Sequence, residues 1–442
     1  MLAIFGETMT PEKPTSPSPP ELFNPWEKTE IIREVVARSG LISDERHFFR
    51  ISPDCPRLSI ETIQKALELR GALGNFFACL ADLSRMTELR VIPRETREII
   101  STALLRPLSR PDRRIARNVR QIPLMFRVDA MIDTQGDLFI AEIEGDKKHG
   151  FGFAALTKDM ATKSGNENGR DKKFLPGVVP LLEKLMNEFP QPIAIIIGDL
   201  ERFYRPEMEF LRQKLDERGI QINVLSPSEI EITPSGEVRH LNSGVRIPAF
   251  VDIPNMTDRN KENLLKLLWE KSELKCLIPP APMFGLKSAL ALLFNEKTKS
   301  FFCGSELNCE PLIARVPETH LLAGKPDAIP EGFVLKRTSG SGTSGVALGS
   351  SSAKDKALWQ KALNDEDIFV IQRRIPQKLF TINREELKCP QALVMTEQFL
   401  RLALFFVVVG GRVRLADISG TARETPDVHG SRDSVLLPIG VN

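Results

Sequence analysis

The 442-residue sequence lacks several features that mark large classes of protein. No apolar run approaches the ~18 residues that a membrane-spanning helix requires, and the longest candidate, residues 402–409, has the length of a β-strand. The first residues carry no basic stretch followed by an apolar core, so no secretory signal is predicted. These absences favour a cytoplasmic protein without a membrane partner.

Cysteine and net charge are also scarce. The six cysteines are scattered, and neither a CxxC pair nor a nearby histidine accompanies Cys303 and Cys309, so no structural zinc site is predicted. Reduced thiols in a cytoplasmic protein are expected. Lysine and arginine total 60 against 58 acidic residues, a net charge of +2, which predicts neither nucleic acid nor an anionic membrane as a partner.

What the sequence contains divides the chain into five predicted parts. Residues 1–25 are rich in Pro and Ser and are predicted to be a disordered tail. Residues 26–120 have helical periodicity, and residues 121–185 hold a strand–turn–strand signal. Residues 186–285 contain a β-α-β unit that begins with the apolar run PIAIIIGD, and residues 286–442 alternate strands and loops. The predicted fold class is mixed α/β, with a Rossmann-like segment between two β-rich blocks.

Acidic residues are concentrated in the strand–turn–strand segment. Because strand side chains alternate, Arg127 and Asp129 share one face of the first strand, and Glu142, Glu144 and Asp146 share one face of the second. Carboxylates gathered on one sheet face favour a magnesium site, since Mg²⁺ prefers oxygen ligands. The alternative is a solvated acidic strand edge, neutralised by the two lysines that follow Asp146.

The magnesium interpretation depends on the pairing register of this hairpin. If Ile132 pairs with Asp137 across the turn, Asp129 faces Ile140 and lies diagonal to Glu142, within reach of a shared ion. A slip of one residue would break this arrangement.

A Gly/Ser-rich loop follows an apolar strand that ends in Lys336. Its residues include Ser339, Gly340, Gly342 and Gly345. Glycines allow backbone amides to approach phosphate oxygens, and a lysine supplies a point charge. The loop is not a Walker A motif, because no GK[ST] follows it. The alternative is a flexible hairpin turn.

A third signal is the apolar run at residues 367–371, which ends in Gln372. A strand of this kind that joins two lobes commonly supplies hydrogen bonds to a purine edge. The alternative is an ordinary buried strand with a glutamine at its end.

Together, and in this order, the three signals resemble the ATP-grasp family. The strand ending in lysine, the Gly/Ser loop and the hinge strand correspond to its nucleotide half, and Arg-x-Asp, turn, Glu-x-Glu corresponds to its magnesium half. Here the magnesium half comes first, an order similar to that of circularly permuted ATP-grasp proteins related to glutathionylspermidine synthetase. The resemblance covers roughly residues 120–435. It implies a circularly permuted ATP-grasp fold with an inserted Rossmann-like pre-ATP-grasp domain at residues 186–285 and an N-terminal helical region.

The resemblance also implies an activity and a set of site residues. The implied activity is that of an ADP-forming carboxylate–amine ligase, which joins small-molecule carboxylate and amine substrates through an acyl phosphate. The implied cofactors are ATP and one or two Mg²⁺ ions. Asp129, Glu142 and Glu144 would bind the metal; Arg127 and Lys336 would be catalytic; and Lys287, Lys336, Ser339, Gly340, Gly342, Gly345, Gln372 and Arg401 would bind the nucleotide.

The sequence departs from the family pattern at two points. The family usually has Asn where Glu144 stands, and the hinge often carries an acidic residue where this chain has Arg373 and Arg374. Three alternatives therefore stay open: a non-catalytic nucleotide-binding module, a phosphotransferase on the same fold, and a purely structural α/β protein. The sequence predicts neither the substrates nor the oligomeric state.

Overall fold

A computed structural model describes residues 24–41, 49–304, 307–322, 329–339, 345–349, 353–364, 367–386, 389–426 and 434–442. Most of the predicted tail, residues 1–25, lies outside these ranges, as do Gly340 and Gly342 of the predicted phosphate loop. The first helix begins at Pro25, where the side chain of Asn24 accepts a hydrogen bond from the amide of Glu27 and caps the helix.

The described ranges contain eleven α-helices. They are α1 (Pro25–Ser39), α2 (Ile60–Leu89), α3 (Arg94–Ile100), α4 (Arg110–Asn118), α5 (Phe151–Lys163), α6 (Gly169–Phe174), α7 (Val178–Met186), α8 (Arg205–Asp216), α9 (Arg259–Glu270), α10 (Glu310–Ile313) and α11 (Ala353–Leu363). Short 3₁₀ or π helices lie at Ser101–Leu105, Asp199–Tyr204, Pro227–Glu229, Pro282–Gly285, Lys287–Leu293 and Lys299–Phe302. None of the described helices combines the length and apolarity needed to cross a membrane.

The strands are distributed over the whole chain. They are β1 (Arg57–Leu58), β2 (Met125–Ile132), β3 (Leu138–Glu144), β4 (Ile193–Ile196), β5 (Ile222–Leu225), β6 (Ile230–Ile232), β7 (Val238–His240), β8 (Ala249–Phe250), β9 (Lys275–Cys276), β10 (Thr319–Leu321), β11 (Phe333–Arg337), β12 (Val346–Ala347), β13 (Phe369–Arg373), β14 (Leu379–Glu386), β15 (Cys389–Val409), β16 (Arg412–Arg423), β17 (Val435–Pro438) and β18 (Gly440–Val441).

The central element is an antiparallel sheet with the strand order β17-β16-β15-β2-β3, to which β14 is added as a further partner of β15. The predicted hairpin β2–β3 therefore pairs with a strand that lies more than 250 residues further along the chain. Helix α2 covers one face, where Phe77 packs against Phe126 of β2 at 4.9 Å between ring centroids. Helices α5 and α7 cover the other face, where Phe151 packs against Phe405.

Two four-stranded sheets and two two-stranded sheets, β1-β18 and β6-β7, accompany the central sheet in the described residues. The strands β5-β4-β8-β9 form a parallel sheet, and α8 connects β4 to β5, as in a Rossmann-like unit. The second sheet, with the order β10-β13-β11-β12, is antiparallel, and it carries Lys336 on β11 and Gln372 on β13. Helix α11 packs against it with Leu358 and Trp359. The predicted fold class is confirmed in this coarse form, whereas the division at residues 25, 120, 185 and 285 stays a prediction.

The register expected for the β2–β3 hairpin is wrong. Ile132 pairs with Leu138 instead of Asp137, and a β-bulge beside Ala130 places Asp129 directly opposite Glu142 instead of opposite Ile140. The bulge leaves one extra residue, Ala141, on β3. The bulge favours a shared ligand, because it places the carboxylates of Asp129 and Glu142 directly opposite each other instead of diagonally.

Candidate functional site

A cleft of about 180 Å³ lies between the central sheet and the β10–β13 sheet. Its apolar lining includes Val334, Val346, Leu348 and Ile375. Its polar lining comes from both sheets and includes Arg127, Asp129, Glu142, Glu144, Lys336, Gln372 and Arg401. The structure therefore brings together in one cleft most of the residues that the sequence assigned to metal and nucleotide.

Lys336 extends from β11 into this cleft. Its Nζ donates to the carbonyl oxygen of Ala141, the bulge residue, at 3.1 Å and to Oε1 of Gln372 at 2.6 Å. In the part of the chain that the structure describes, no carboxylate forms an ion pair with it. Burial, together with the charge of Lys287, lowers the pKa of Lys336 to about 8, although Glu142 and Asp129 act in the opposite direction. A half-buried cation with only neutral partners is suited to an anionic ligand.

Gln372 is held by the strands around it. It is 3% exposed, accepts from Lys336, and donates from Nε2 to Oγ1 of Thr319 on β10 at 3.0 Å. Its amide thus orients the lysine in the structure, a role that the sequence pattern did not indicate. The prediction that Gln372 lies at an adenine edge remains untested.

Lys287 lies beside the cleft, on the middle segment of the chain. Its Nζ lies 2.6 Å from Oε1 of Glu142, and its side chain is 7% exposed. The amide of the next residue, Ser288, donates to Oγ1 of Thr338 at 2.9 Å, which ties this segment to the end of β11. Lys287 therefore contacts a residue of the lining of the cleft that contains Lys336.

Arg127 is enclosed by acidic partners. Its Nε lies 2.8 Å from Oδ1 of Asp129, and its Nη2 lies 2.6 Å from Oε2 of Glu144. Arg401 reaches the other oxygen of Asp129 at 3.3 Å. Burial alone would raise the pKa of Glu144, but the cations Arg127, Lys147 and Lys287 lower it to about 2. This network holds Arg127 in place at the boundary of the cleft.

The donor set fits a magnesium ion in part. Mg²⁺ usually takes one or two protein carboxylates and completes its octahedron with phosphate oxygens and waters. Asp129 and Glu142 face each other across the strands. All three carboxylates are paired with cations: Asp129 with Arg127 and Arg401, Glu142 with Lys287, and Glu144 with Arg127 and Lys147. The described residues contain no group of three His, Cys, Asp or Glu side chains placed to hold a metal ion by themselves. The metal assignment stays a prediction.

The remaining predicted residues are less informative. The carbonyl oxygen of Ser339 accepts from Nε of Arg337 at 2.9 Å, and Gly345 packs closely against Arg337. Gly340 and Gly342 lie outside the described residues. At the hinge, Arg373 pairs with Glu318 at 2.6 Å, so a carboxylate does lie beside the position where the family pattern has an acidic residue.

A larger cavity of about 600 Å³ adjoins the cleft and shares Arg127, Glu144 and Arg401 with it. Part of its lining comes from the segment 145–150 and from Phe153 of α5. Lys148 in this segment is fully buried and pairs with Asp252 at 2.9 Å and Glu201 at 3.0 Å. His149, which is 5% exposed, stacks on Tyr204 at 3.6 Å between ring centroids.

Glu207 is the cavity residue that sequence reasoning missed. It is 1% exposed, and its Oε1 accepts from the amides of Gly150 at 2.6 Å and Gly152 at 3.1 Å. It therefore caps the N-terminus of α5 from a different helix, α8. In the sequence it is one of several acidic residues in an amphipathic stretch, and only the glycines of His149-Gly-Phe-Gly gave a local signal.

Comparison with known proteins identifies the class of fold. No protein-family model and no curated protein matches the sequence. Among solved structures, a glutathione synthetase-like effector from Globodera pallida, in its apo form, is similar over 94% of this chain and 97% of its own, with a TM-score of 0.59 and 14% identity. The chain therefore has the fold of a glutathione synthetase-like protein. The resemblance to the ATP-grasp family is confirmed at the level of the fold.

Two further solved structures are more distantly similar. A RimK domain ATP-grasp protein from Sphaerobacter thermophilus has 14% identity and a TM-score of 0.25, with coverage of 53% of this chain and 91% of its own. A putative γ-glutamylcysteine synthetase from Methylobacillus flagellatus has 9% identity and a TM-score of 0.34, with coverage of 82% and 88%.

Proposed function

We propose that the chain is an ATP-dependent carboxylate–amine ligase that forms an acyl phosphate. The observation that carries this proposal is the position of Lys336: a half-buried cation whose partners are a carbonyl and an amide oxygen, in a cleft that Arg401 also lines. Lys287 contacts Glu142 of the cleft lining. Cations placed in and beside one cleft suit a triphosphate, whose charge would replace the neutral partners of Lys336. The glutathione synthetase-like fold supports the same class of reaction.

The cleft has an apolar part and a charged part, which suit the base and the phosphates of ATP, respectively. We place the base among Val334, Val346, Leu348 and Ile375, which form the apolar lining, and the phosphates beside Lys336. Gln372, whose Oε1 accepts from Lys336 at 2.6 Å, lies where the two parts meet. The Gly/Ser segment after β11 would cover the phosphates. The proposal also includes a circularly permuted order, in which the magnesium half precedes the nucleotide half in the chain.

Magnesium enters with the nucleotide. Asp129 and Glu142, which face each other on β2 and β3, would hold it. When bound, Mg²⁺ neutralises phosphate charge and orients the phosphates.

The reacting groups would meet at Arg127. A substrate carboxylate oxygen attacks the γ-phosphorus and ADP leaves, and Arg127 and Lys336 stabilise the charge that spreads over the phosphoryl oxygens. Because Asp129 and Glu144 fix the guanidinium on two sides, it needs little reorganisation. The amine then attacks the acyl carbon, and phosphate leaves with the bonding electron pair.

The altered hinge keeps a second function under consideration. Arg373 replaces the acidic residue of the family pattern and pairs with Glu318. A nucleotide-binding module without catalysis would explain this substitution equally well. It predicts bound Mg-ATP but no turnover.

The test has two stages. Thermal unfolding with and without Mg-ATP is compared for wild type, Lys336→Ala and the control Lys271→Ala, in which an exposed lysine after α9 is removed. Ligand at ~100 times its dissociation constant adds about 2.7 kcal/mol to the free energy of unfolding. We expect that stabilisation in wild type and in the control and its loss in Lys336→Ala. ADP release that requires both a carboxylate and an amine then separates the ligase from the binding module, and no Mg-ATP effect in wild type would refute both.

A further inference from the structure

The 600 Å³ cavity beside the cleft contains buried acceptor atoms without partners. In the described part of the chain, Oε2 of Glu207, Nδ1 of His149 and Oδ1 of Asp146 have no hydrogen-bond partner, and all three residues line the cavity. Glu207 and His149 are more than nine-tenths buried. Buried polar atoms are almost always hydrogen-bonded, so this group indicates that molecules bound in the cavity, water or a ligand, supply the missing donors.

The protonation of His149 follows from its surroundings. Its Nε2 lies 3.3 Å from Oε1 of Glu201, so this nitrogen carries the hydrogen and Nδ1 is a bare acceptor. Burial, with the charge of Lys148, lowers the pKa of His149 to about 4, which favours the neutral ring. Burial raises the pKa of Glu207 to about 7, although the amides of Gly150 and Gly152 oppose this shift. Oε2 of Glu207 is therefore an acceptor in the ionised form, which a bound cation favours.

Cation pairing distinguishes Glu207 from other acidic residues of the cavity. Asp112, Glu144 and Glu201 each pair with a lysine or arginine. Neither Glu207 nor Asp146 has such a partner within the described residues, and Glu207 is the more buried of the two. Its Oε1 is already occupied by the amides of Gly150 and Gly152, which leaves Oε2 for a ligand.

The position of Glu207 relates it to the reaction. The amide of Gly150 donates to Glu207, and the carbonyl of His149, in the same peptide group, accepts from Nη1 of Arg127 at 3.2 Å. A ligand group at Oε2 of Glu207 therefore lies one peptide group away from the arginine that we place at the acyl phosphate.

The cavity wall indicates the rest of the ligand. Phe49 and Phe153 pack edge to face at 5.2 Å, and Leu200 and Phe203 line the mouth although they are 85% and 50% exposed. Apolar side chains left exposed around a cavity favour an apolar ligand surface. An ammonium group supplies three donors and no acceptor, which matches the atoms that lack partners.

We infer that this cavity binds the amine substrate as a primary ammonium with an apolar substituent, held by Glu207 with His149 as a second acceptor. The inference rests on the proposed function for the identity of the ligand as the amine. Glu207 also takes the proton that the ammonium must lose: R–NH₃⁺ becomes R–NH₂, and its nitrogen lone pair forms the C–N bond. The C–O bond to phosphate breaks, and phosphate takes the second proton of the nitrogen.

The test uses benzylammonium as the probe and benzyl alcohol as its uncharged match. Calorimetric titrations are made on wild type, Glu207→Gln and the control Glu209→Gln, whose carboxylate lies on the same helix and pairs with Arg205 and Arg212 on the surface. We expect wild type and the control to bind benzylammonium at least about tenfold more tightly than benzyl alcohol. Glu207→Gln should lose about tenfold, as expected when a hydrogen bond to a charged group is removed.

Mg-ATP binding is measured on the same proteins and separates this inference from the proposed function. Failure of wild type to bind Mg-ATP, with benzylammonium binding intact, would refute the ligase but leave the ammonium site. Equal binding of benzylammonium by wild type and Glu207→Gln, or none by wild type, would overturn the inference. If Glu207→Gln does not fold, a crystal structure of wild type with benzylammonium decides: its nitrogen within ~3 Å of Glu207 supports the site, and any other position overturns it.

Discussion

Arg127 and Glu207 hold the two sides of a single peptide group. Nη1 of Arg127 donates to the carbonyl of His149 at 3.2 Å, and Oε1 of Glu207 accepts from the amide of Gly150 at 2.6 Å. This peptide group forms part of the wall between the nucleotide cleft and the larger cavity. Its conformation therefore couples the two sites, and Gly150 is the residue that permits it.

We predict that Gly150→Ala destabilises the fold and weakens the site. Gly150 has φ of 102°, and an added Cβ would lie 3.0 Å from Phe405 and 3.1 Å from Nη1 of Arg127. A side chain in this backbone region costs roughly 1–3 kcal/mol. Urea unfolding should show a loss of this size. The control Gly71→Ala, in helix α2 with no atom within 4 Å of its added Cβ, should gain ~0.5–1 kcal/mol. Unchanged stability of Gly150→Ala would contradict the strain argument.

Sequence reasoning located this region but not its geometry. The alternation of Arg127, Asp129, Glu142 and Glu144 was sufficient to place them on one face, because strand periodicity is a local property. The β-bulge at Ala141 was not predictable, since it depends on how β3 is held between β2 and the rest of the chain. The missed Glu207 acts through the amides of Gly150 and Gly152, and contacts across 57 and 55 residues leave no spacing pattern.

Lys148 is a second residue whose partners could not be predicted from the sequence, and it gives a second testable prediction. The sequence offered Lys147 and Lys148 as neutralising partners for the strand carboxylates. Lys147 does pair with Glu144 at 3.4 Å, but Lys148 is directed away, to Asp252 and Glu201. Lys148→Ala would leave two carboxylates without their cation, and removing one partner of a buried ion pair costs about 3–5 kcal/mol.

The matched variant for this test is Lys147→Ala, because Lys147 is the neighbouring lysine and is 26% exposed where Lys148 is 1% exposed. Its longer and more exposed pair predicts a loss of about 1 kcal/mol or less. Both values are read from urea unfolding at neutral pH. If both variants lose the same free energy of unfolding, the ion pairs of Lys148 with Asp252 and Glu201 do not stabilise the segment 145–152.

The magnesium proposal predicts a specific change in metal dependence. Asp129→Asn and Glu142→Gln should each reduce the affinity for Mg-ATP by about tenfold, the effect of one lost contact to a charged group. With a chelator present, Glu142→Gln should bind ATP at least as well as wild type, because the substitution removes one negative charge from the cleft lining. Calorimetry with and without Mg²⁺ measures both effects. If the ratio of the ATP affinity with Mg²⁺ to that without Mg²⁺ is the same in wild type and in both variants, the metal assignment is wrong.

The last prediction concerns Asp417, which lines neither the cleft nor the 600 Å³ cavity. It is 4% exposed on β16; Oδ1 accepts from the amide of Ile418 at 2.9 Å, and Oδ2 has no hydrogen-bond partner within the described residues. Burial raises the pKa of Asp417 from 3.8 to about 7; Lys158 opposes this shift, and Glu167 and Asp171 add to it. The folded state therefore keeps a proton that the unfolded chain releases near pH 4.

The sign of the effect on stability follows from that difference. As pH rises from about 4 to about 7, the unfolded state binds fewer protons than the folded state, so the free energy of unfolding falls. One pKa unit corresponds to about 1.4 kcal/mol, which limits the loss from Asp417 to roughly 4 kcal/mol. Asp417→Asn cannot ionise. Its stability relative to wild type should therefore rise over the same interval and level off above about pH 7.

Urea unfolding at several pH values from about 4 to about 8 measures the difference between the two proteins. Asp216→Asn, a substitution at the exposed end of α8, is the control and should differ from wild type by a constant amount. Other buried carboxyls also titrate, but they are present in wild type and variant alike, so the difference isolates Asp417. A difference that does not change with pH would show that Asp417 is solvated or hydrogen-bonded in solution, and that its burial does not perturb its ionisation.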